Sequence, residues 1–278
     1  MASLTAFFAD NLFLIAAMLG AGFASGFAGG LFGIGGGIIT VPALYAVFQA
    51  IGVGEEASLK TAIGTSLGVI IVTSLRALAA HRRAGHVDMG VLKAWVPWIA
   101  LGAGTGGLLA RWVPTELLTA VFVGGAFYVA ARRLGPGGGA RRNRDLMRRR
   151  LTWPLGTATG FFSSLMGIGG GALGVMVMTA SGRAIHQAIA TSAGFGVAVA
   201  LPGALAFMWS GRAAGDLPPG SIGYFNLVAF AAMALTAGVA APLGARLAHR
   251  TDGSLLSRLF GGYVLLAAVG LAWDVFGK

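Results

Sequence analysis

Gly33-Ile34-Gly35-Gly36-Gly37 stands inside an apolar stretch, and Gly167-Ile168-Gly169-Gly170-Gly171 repeats it in the second half of the chain. The approaches match too: Gly26-Phe27 is answered by Gly160-Phe161. Glycine loses more backbone freedom on ordering than any other residue, so a cluster of glycines interrupts a helix. Within lipid an interruption survives only where the loosened backbone is buried in protein or lines a cavity. One interruption per half is the pattern of a transporter site built from discontinuous helices.

The rest of the composition agrees with a membrane setting. Of 278 residues, 56% are hydrophobic and 10% charged, where a soluble domain carries roughly 25% charged residues. Long apolar runs alternate with short polar loops, the pattern of a polytopic membrane protein. The chain has no cysteine, which excludes disulfides, thiolate metal sites and cysteine catalysis. Asp10 precedes the first apolar stretch and no basic region does, so that stretch reads as a retained membrane segment and not a cleaved signal. The formal charge of +11 is concentrated in Arg132, Arg133, Arg141, Arg142, Arg144, Arg148, Arg149 and Arg150, around the linker Gly135-Pro136-Gly137-Gly138-Gly139. A cytoplasmic loop facing anionic lipid accounts for that cluster, and no nucleic-acid partner is needed.

Apolar segments divide the chain into a first membrane repeat (1–134), a Gly/Arg-rich cytoplasmic linker (135–150) and a second membrane repeat (151–278). The first holds a pair at 11–32 and 37–50, then long segments at 57–80, 88–112 and 115–134. The second holds a pair at 152–166 and 172–181, then 186–209, 221–247 and 254–275. Lys60-Thr61-Ala62-Ile63-Gly64-Thr65-Ser66 aligns with His186-Gln187-Ala188-Ile189-Ala190-Thr191-Ser192, and Phe122 with Gly124-Gly125 is echoed by Phe260 with Gly261-Gly262. Arg82 and Arg83 follow the first long segment, whereas Arg183 precedes its counterpart and Arg246 and Arg250 follow the next. By the positive-inside rule, corresponding segments then run in opposite directions. The predicted fold is therefore an all-α integral membrane protein with inverted-topology repeats, each made of a Gly-broken or re-entrant helix pair plus three long transmembrane helices. An unbroken helix from Leu12 to Gln49 would be about 57 Å long, against a hydrocarbon core of about 30 Å. The pair must turn near its glycines, either as two crossings or as a re-entrant hairpin.

A break of this kind frees backbone N–H groups, and the half-helix that follows adds a partial positive charge, a combination suited to an anion. Gly33, Gly35, Gly36, Gly37, Gly167, Gly169, Gly170 and Gly171 are the candidate binding residues. The alternative is close helix packing, since Gly33 and Gly37 stand four apart, as do Gly167 and Gly171. A phosphate-binding loop is excluded because no Gly-Lys-Ser/Thr completes the run. Thr65, Ser66, Thr191 and Ser192 follow the breaks and could complete an oxyanion's shell, or bond to their own helices. Thr40 and Gln187 are weaker candidates of that type. Lys60, Arg183 and His186 precede long segments, where they face pathway mouths or snorkel to the interface. Arg76, Arg111 and Arg246 read as anchors, and His81 and His86 as loop residues without company for a metal. No Asp or Glu lies in the middle of an apolar segment, so the carboxylate relay of many proton-driven carriers is missing. No catalytic constellation, cofactor motif or metal site can be assembled.

The paired glycine motif, the Thr-Ser element after it and His81-Arg82-Arg83-Ala84-Gly85-His86-Val87-Asp88 together resemble the TauE/SafE sulfite exporter family, the TSUP permeases. The resemblance covers nearly the whole chain. It implies a multi-pass permease of the bacterial inner membrane for a small sulfur-containing anion such as sulfite or an organosulfonate, with direction left open. Carried over, it places the two glycine runs, Thr65-Ser66 and Thr191-Ser192 in one site. Two departures stand out: the second run reaches Val175-Met176 where the first reaches Val41-Pro42, and the motif ending at Asp88 finds only a loose echo in Gly220-Ser221-Ile222-Gly223. The expected partners are a small anionic substrate and the lipid bilayer, and a homo-oligomer is compatible with the reading. Rival readings are a permease for a cation or neutral solute with the same fold, or a membrane enzyme or assembly subunit.

Overall fold

The computed structural model of the chain describes residues 12–114 and 149–256 without interruption, and parts of 116–131 and 258–269. The arginine-rich stretch 132–148, and Phe122, Gly125 and Phe260 of the echo between the halves, lie outside the described residues. The helices in chain order are α1 (Leu12–Phe32), α2 (Gly37–Ala50), α3 (Glu55–Arg83), α4 (Met89–Leu109), α5 (Arg149–Met166), α6 (Gly171–Ala180), α7 (Ile185–Ser210) and α8 (Leu227–Arg250). Among the described residues the only β pairing is an isolated bridge between Ser221 and Asn226.

Both glycine runs interrupt their helices, and the dihedral angles give the reason. Gly33, Gly35 and Gly36 have φ of +68°, +76° and +84°, and Gly167 and Gly169 of +63° and +65°. Side-chain-bearing residues seldom adopt this left-handed region, and a right-handed helix cannot continue through it. The helices that restart are short. α2 has 14 residues and α6 has 10, about 21 and 15 Å at 1.5 Å per residue, so neither spans a core of about 30 Å upright. By contrast α1, α3, α7 and α8 are each long and apolar enough to cross a membrane.

The layout follows from side-chain size. α3 and α7 cross at the centre, with 67% and 78% of their apolar windows buried, while α1 and α8 keep most of theirs at the periphery, with 33% buried. α1 packs along α8, and α4 along α5. On α1, Gly22, Gly26 and Gly30 recur every four residues, and a Cβ at each would collide with a carbonyl oxygen of α8, at Met233, Ala237 and Ala241. Gly102 and Gly160 bring α4 and α5 together in the same manner, against Thr157 and Ile99. Small residues at this spacing let membrane helices approach backbone to backbone, where dispersion replaces the hydrophobic effect as the packing force. Phe13, Leu205, Leu235 and Val239 point outward and are exposed, as a lipid-facing surface requires.

Three boundary expectations are corrected. His81 belongs to α3 and not to a loop: its ring is buried against the Gly30 carbonyl of α1 and His249 of α8, which carries the helix on to Arg83. The segment expected from 221 starts as a helix only at Leu227, because Asn226 caps it there. The counterpart of Asp88 is accordingly Asn226 and not the 220–223 stretch. Gly85 (φ +75°) and Gly223 (φ +55°) each stand three residues before these caps, so Gly-His-Val-Asp pairs with Gly-Tyr-Phe-Asn.

Candidate anion site at the helix breaks

The two breaks meet. A Cβ on Gly37, the first residue of α2, would lie 2.8 Å from the Ile168 Cα and collide with the Gly167 carbonyl oxygen. One on Gly171, the first residue of α6, would collide with the Gly33 carbonyl oxygen and the Ile34 Cα. Each restarting helix thus begins against the turn of the other half. Ile34 and Ile168 are buried with the runs. Ile70 of α3 fills the remaining gap: its Cγ2 lies 2.6 Å from a Cβ built on Gly35 and 2.7 Å from one built on Gly169.

Carbonyls and amides of the breaks fare differently. The Gly36 carbonyl accepts hydrogen bonds from Ser25 Oγ (3.0 Å) and Thr40 Oγ1 (3.2 Å), whose hydroxyls are 2.6 Å apart. Thr73 Oγ1 donates to the Gly35 carbonyl at 2.8 Å, and Ser66 Oγ to the Gly167 carbonyl at 2.9 Å. The amides of Gly35, Gly36, Gly169 and Gly170 donate to no protein acceptor among the described residues. Buried amides without acceptors cost free energy, about 1–3 kcal/mol each. Such a cost is recovered when a ligand accepts from them.

The other sequence candidates occupy three places. Ser66 is at the second break, where it braces the turn across the halves. Thr65 and Thr191 sit instead at helix starts: Thr65 Oγ1 accepts from the Asn226 amide and Thr191 Oγ1 from the Asp88 amide, each at 2.9 Å. Asp88 and Asn226 in turn cap α4 and α8, accepting from Val91 and Ala229. Ser192 lies beside α6, its Oγ 4.0 Å from Met178 Sδ. Lys60 is buried, paired with Glu56 at 2.6 Å and donating to the Arg111 carbonyl at 3.3 Å. Its ammonium faces the Tyr224 ring at 5.8 Å, and burial first, then Glu56, raises the Tyr224 pKa above its ordinary value. Arg183 is ion-paired with Asp88 and contacts Gln187 Oε1 at 3.5 Å. His186 Nε2 lies 3.1 Å from the Thr251 carbonyl.

Ser25, Thr73 and Ser74 were not anticipated. Ser74 Oγ is buried, makes no hydrogen bond among the described residues and lies 3.1 Å from a Cβ built on Gly35. The sequence did hold a signal, since Thr73-Ser74 repeats Thr65-Ser66 eight residues on, about two helical turns along the same face. Among the described residues no group of three or more His, Cys, Asp or Glu is arranged to hold a metal.

The family model for the sulfite exporter TauE/SafE matches residues 18–271. The chain belongs to the TauE/SafE family. Three relatives carry the description "probable membrane transporter protein". The one from Haemophilus influenzae is 29% identical over 252 residues, covering 89% of this chain and 94% of the relative. The one from Methanocaldococcus jannaschii is 28% identical over 194 residues, covering 66% and 69%. The Bacillus subtilis protein YunE is 33% identical over 99 residues, covering 36% and 34%. No solved structure matches the chain. This TauE/SafE protein is therefore a multi-pass membrane transporter and not an enzyme.

Proposed function

We propose that the protein is a permease of the bacterial inner membrane for a small sulfur-containing oxyanion, sulfite or an organosulfonate. The anion is held where the breaks meet, by the amides of Gly35, Gly36, Gly169 and Gly170, with the Ser74 hydroxyl beside it. The observation that carries the reading is the imbalance at the breaks. Carbonyls of Gly35, Gly36 and Gly167 are occupied by hydroxyls, whereas the amides are unpaired. Bare amides and the positive ends of α2 and α6 favour an anion; a cation would use the carbonyls. Four neutral donors grip an anion without a full counter-charge, which also lets it leave. The recurrence of contacts with the halves exchanged (α1 on α8 as α5 on α4, Thr65 on Asn226 as Thr191 on Asp88) supports inverted repeats, 1–134 and 151–278, as the basis of alternating access.

Sulfite flux in liposomes tests this. G35V and G169V thrust a branched side chain at Ile70 and abolish flux while the protein stays inserted and monodisperse. I70F enlarges the group between the runs without replacing a glycine, and lowers flux at least tenfold. Normal flux in all three ends the reading. Since no carboxylate lies mid-membrane, flux at a fixed voltage proceeds without an inward proton gradient; a strict requirement for one refutes the uncoupled mechanism.

A further inference from the structure

Between the last two turns of α3 and the second half of α8 lies a cavity of about 400 Å³, whose lining residues are other than those of the glycine breaks. Arg76 and Arg83 line it from α3, and Arg246 and His249 from α8, with Ala80 and Pro242 between them. Arg76 and Arg83 are seven residues apart, two turns on one face, and Arg246 and His249 are three apart, so both helices turn these side chains toward the same hollow. Among the described residues no carboxylate lines it. The described ion pairs use Lys60 with Glu56 and Arg183 with Asp88, and none of the three arginines has an acidic partner among the described residues.

Further details mark a built site. Arg76 Nε donates to the Gly238 carbonyl at 3.1 Å, which fixes the guanidinium and leaves its terminal nitrogens for the cavity. His249 Nε2 lies 3.0 Å from His81 Nδ1, while His249 Nδ1 is buried without a hydrogen-bond partner among the described residues. Alanines line this stretch of α3, so the space between the cations stays open. Like charges round one hollow repel, and an anion among them turns that repulsion into attraction. Guanidinium groups bind planar or tetrahedral oxyanions through paired N–H donors.

We infer that this cavity is a second anion site, specific for an oxyanion of the sulfonate, sulfate or phosphate type and separate from the glycine breaks. The anion is either free in solution or the headgroup of an anionic phospholipid. Binding here does not depend on what the breaks carry.

Full-length protein, delipidated in neutral detergent, is dialysed against radiolabelled sulfate, and in parallel arms against labelled sulfite and phosphate. Separately, it is loaded with phosphatidylglycerol or phosphatidylcholine, and retained lipid is read by native mass spectrometry. R76Q, R83Q and R246Q each weaken capture about tenfold, the loss of one charge-assisted hydrogen bond. R250Q, an equal charge change on α8 outside the cavity lining, alters it less than twofold, and R246K, which keeps the charge and the fold, falls between. Capture of the inorganic ions identifies a free anion, and selective retention of phosphatidylglycerol identifies a headgroup; either result upholds the site. Capture of neither, or equal weakening by R250Q, overturns it. G35V blocks transport without affecting this capture, so failure here and failure of the permease reading are distinguishable.

Discussion

Ile70 touches both glycine runs with one methyl group, which makes it the side chain whose size sets the space between them. I70A removes a fully buried side chain and is expected to cost about 2–5 kcal/mol of stability, visible as a lower unfolding temperature in detergent, while flux rises severalfold. Unchanged flux would show that the gap at Ile70 does not limit passage. The helix caps offer a second comparison. N226A removes an Asn cap, worth about 1 kcal/mol, and with it the Nδ2 bonds to the Pro219 carbonyl and Ser221 Oγ. D88A removes the equivalent cap and also strands Arg183, whereas D88N keeps most of the cap but not the ion pair, so in thermal unfolding D88A is expected to lose more than D88N, and D88N more than the unaltered protein. A D88N protein as stable as the unaltered one would mean that the Arg183 pair contributes nothing.

At the scale of elements, the two peripheral seams decide whether the bundle closes. α1 meets α8, and α4 meets α5, through glycines at which carbonyl oxygens of the facing helix come within the radius of a Cβ. G26L and G160L cannot be absorbed by turning a side chain, because the obstacle is backbone. Each is expected to abolish monodisperse protein in size-exclusion chromatography, whereas G20L, at a position open to solvent or lipid, is expected to leave it intact. If G26L eluted normally, the close approach of α1 and α8 would not be needed for assembly. The breaks depend on these seams in turn, for the turn at Gly33 follows directly on α1 and the turn at Gly167 on α5.

For the whole molecule, charge is distributed by end. All four histidines of the chain form a connected set, His81 with His249 and His86 with both His249 and His186, and the arginine cavity adjoins it at His249. The pair of buried Lys60 with exposed Glu56 belongs instead to the start of α3, the other end of that helix from His81. An anion crossing between these ends moves charge, so transport is expected to follow the membrane potential. In liposomes with valinomycin-set potentials, reversing the sign is expected to reverse net sulfite flux at equal concentrations. Indifference to voltage would require a compensating counter-ion.

The membrane class and the helix breaks were legible in the sequence because each rests on local chemistry: apolar length, and glycine's access to left-handed φ. The arrangement of the candidate site was not. That Ser66 braces the opposite half, that Thr65 and Thr191 are committed to helix starts and that Arg76, Arg83 and Arg246 share one cavity are contacts between residues far apart in the chain. Such contacts are set by which helices cross and at what rotation, and no local pattern encodes either. The sequence alone determined where the chain breaks and what solvent surrounds it; tertiary packing decided which polar groups of the breaks found a partner within the protein and which amides did not.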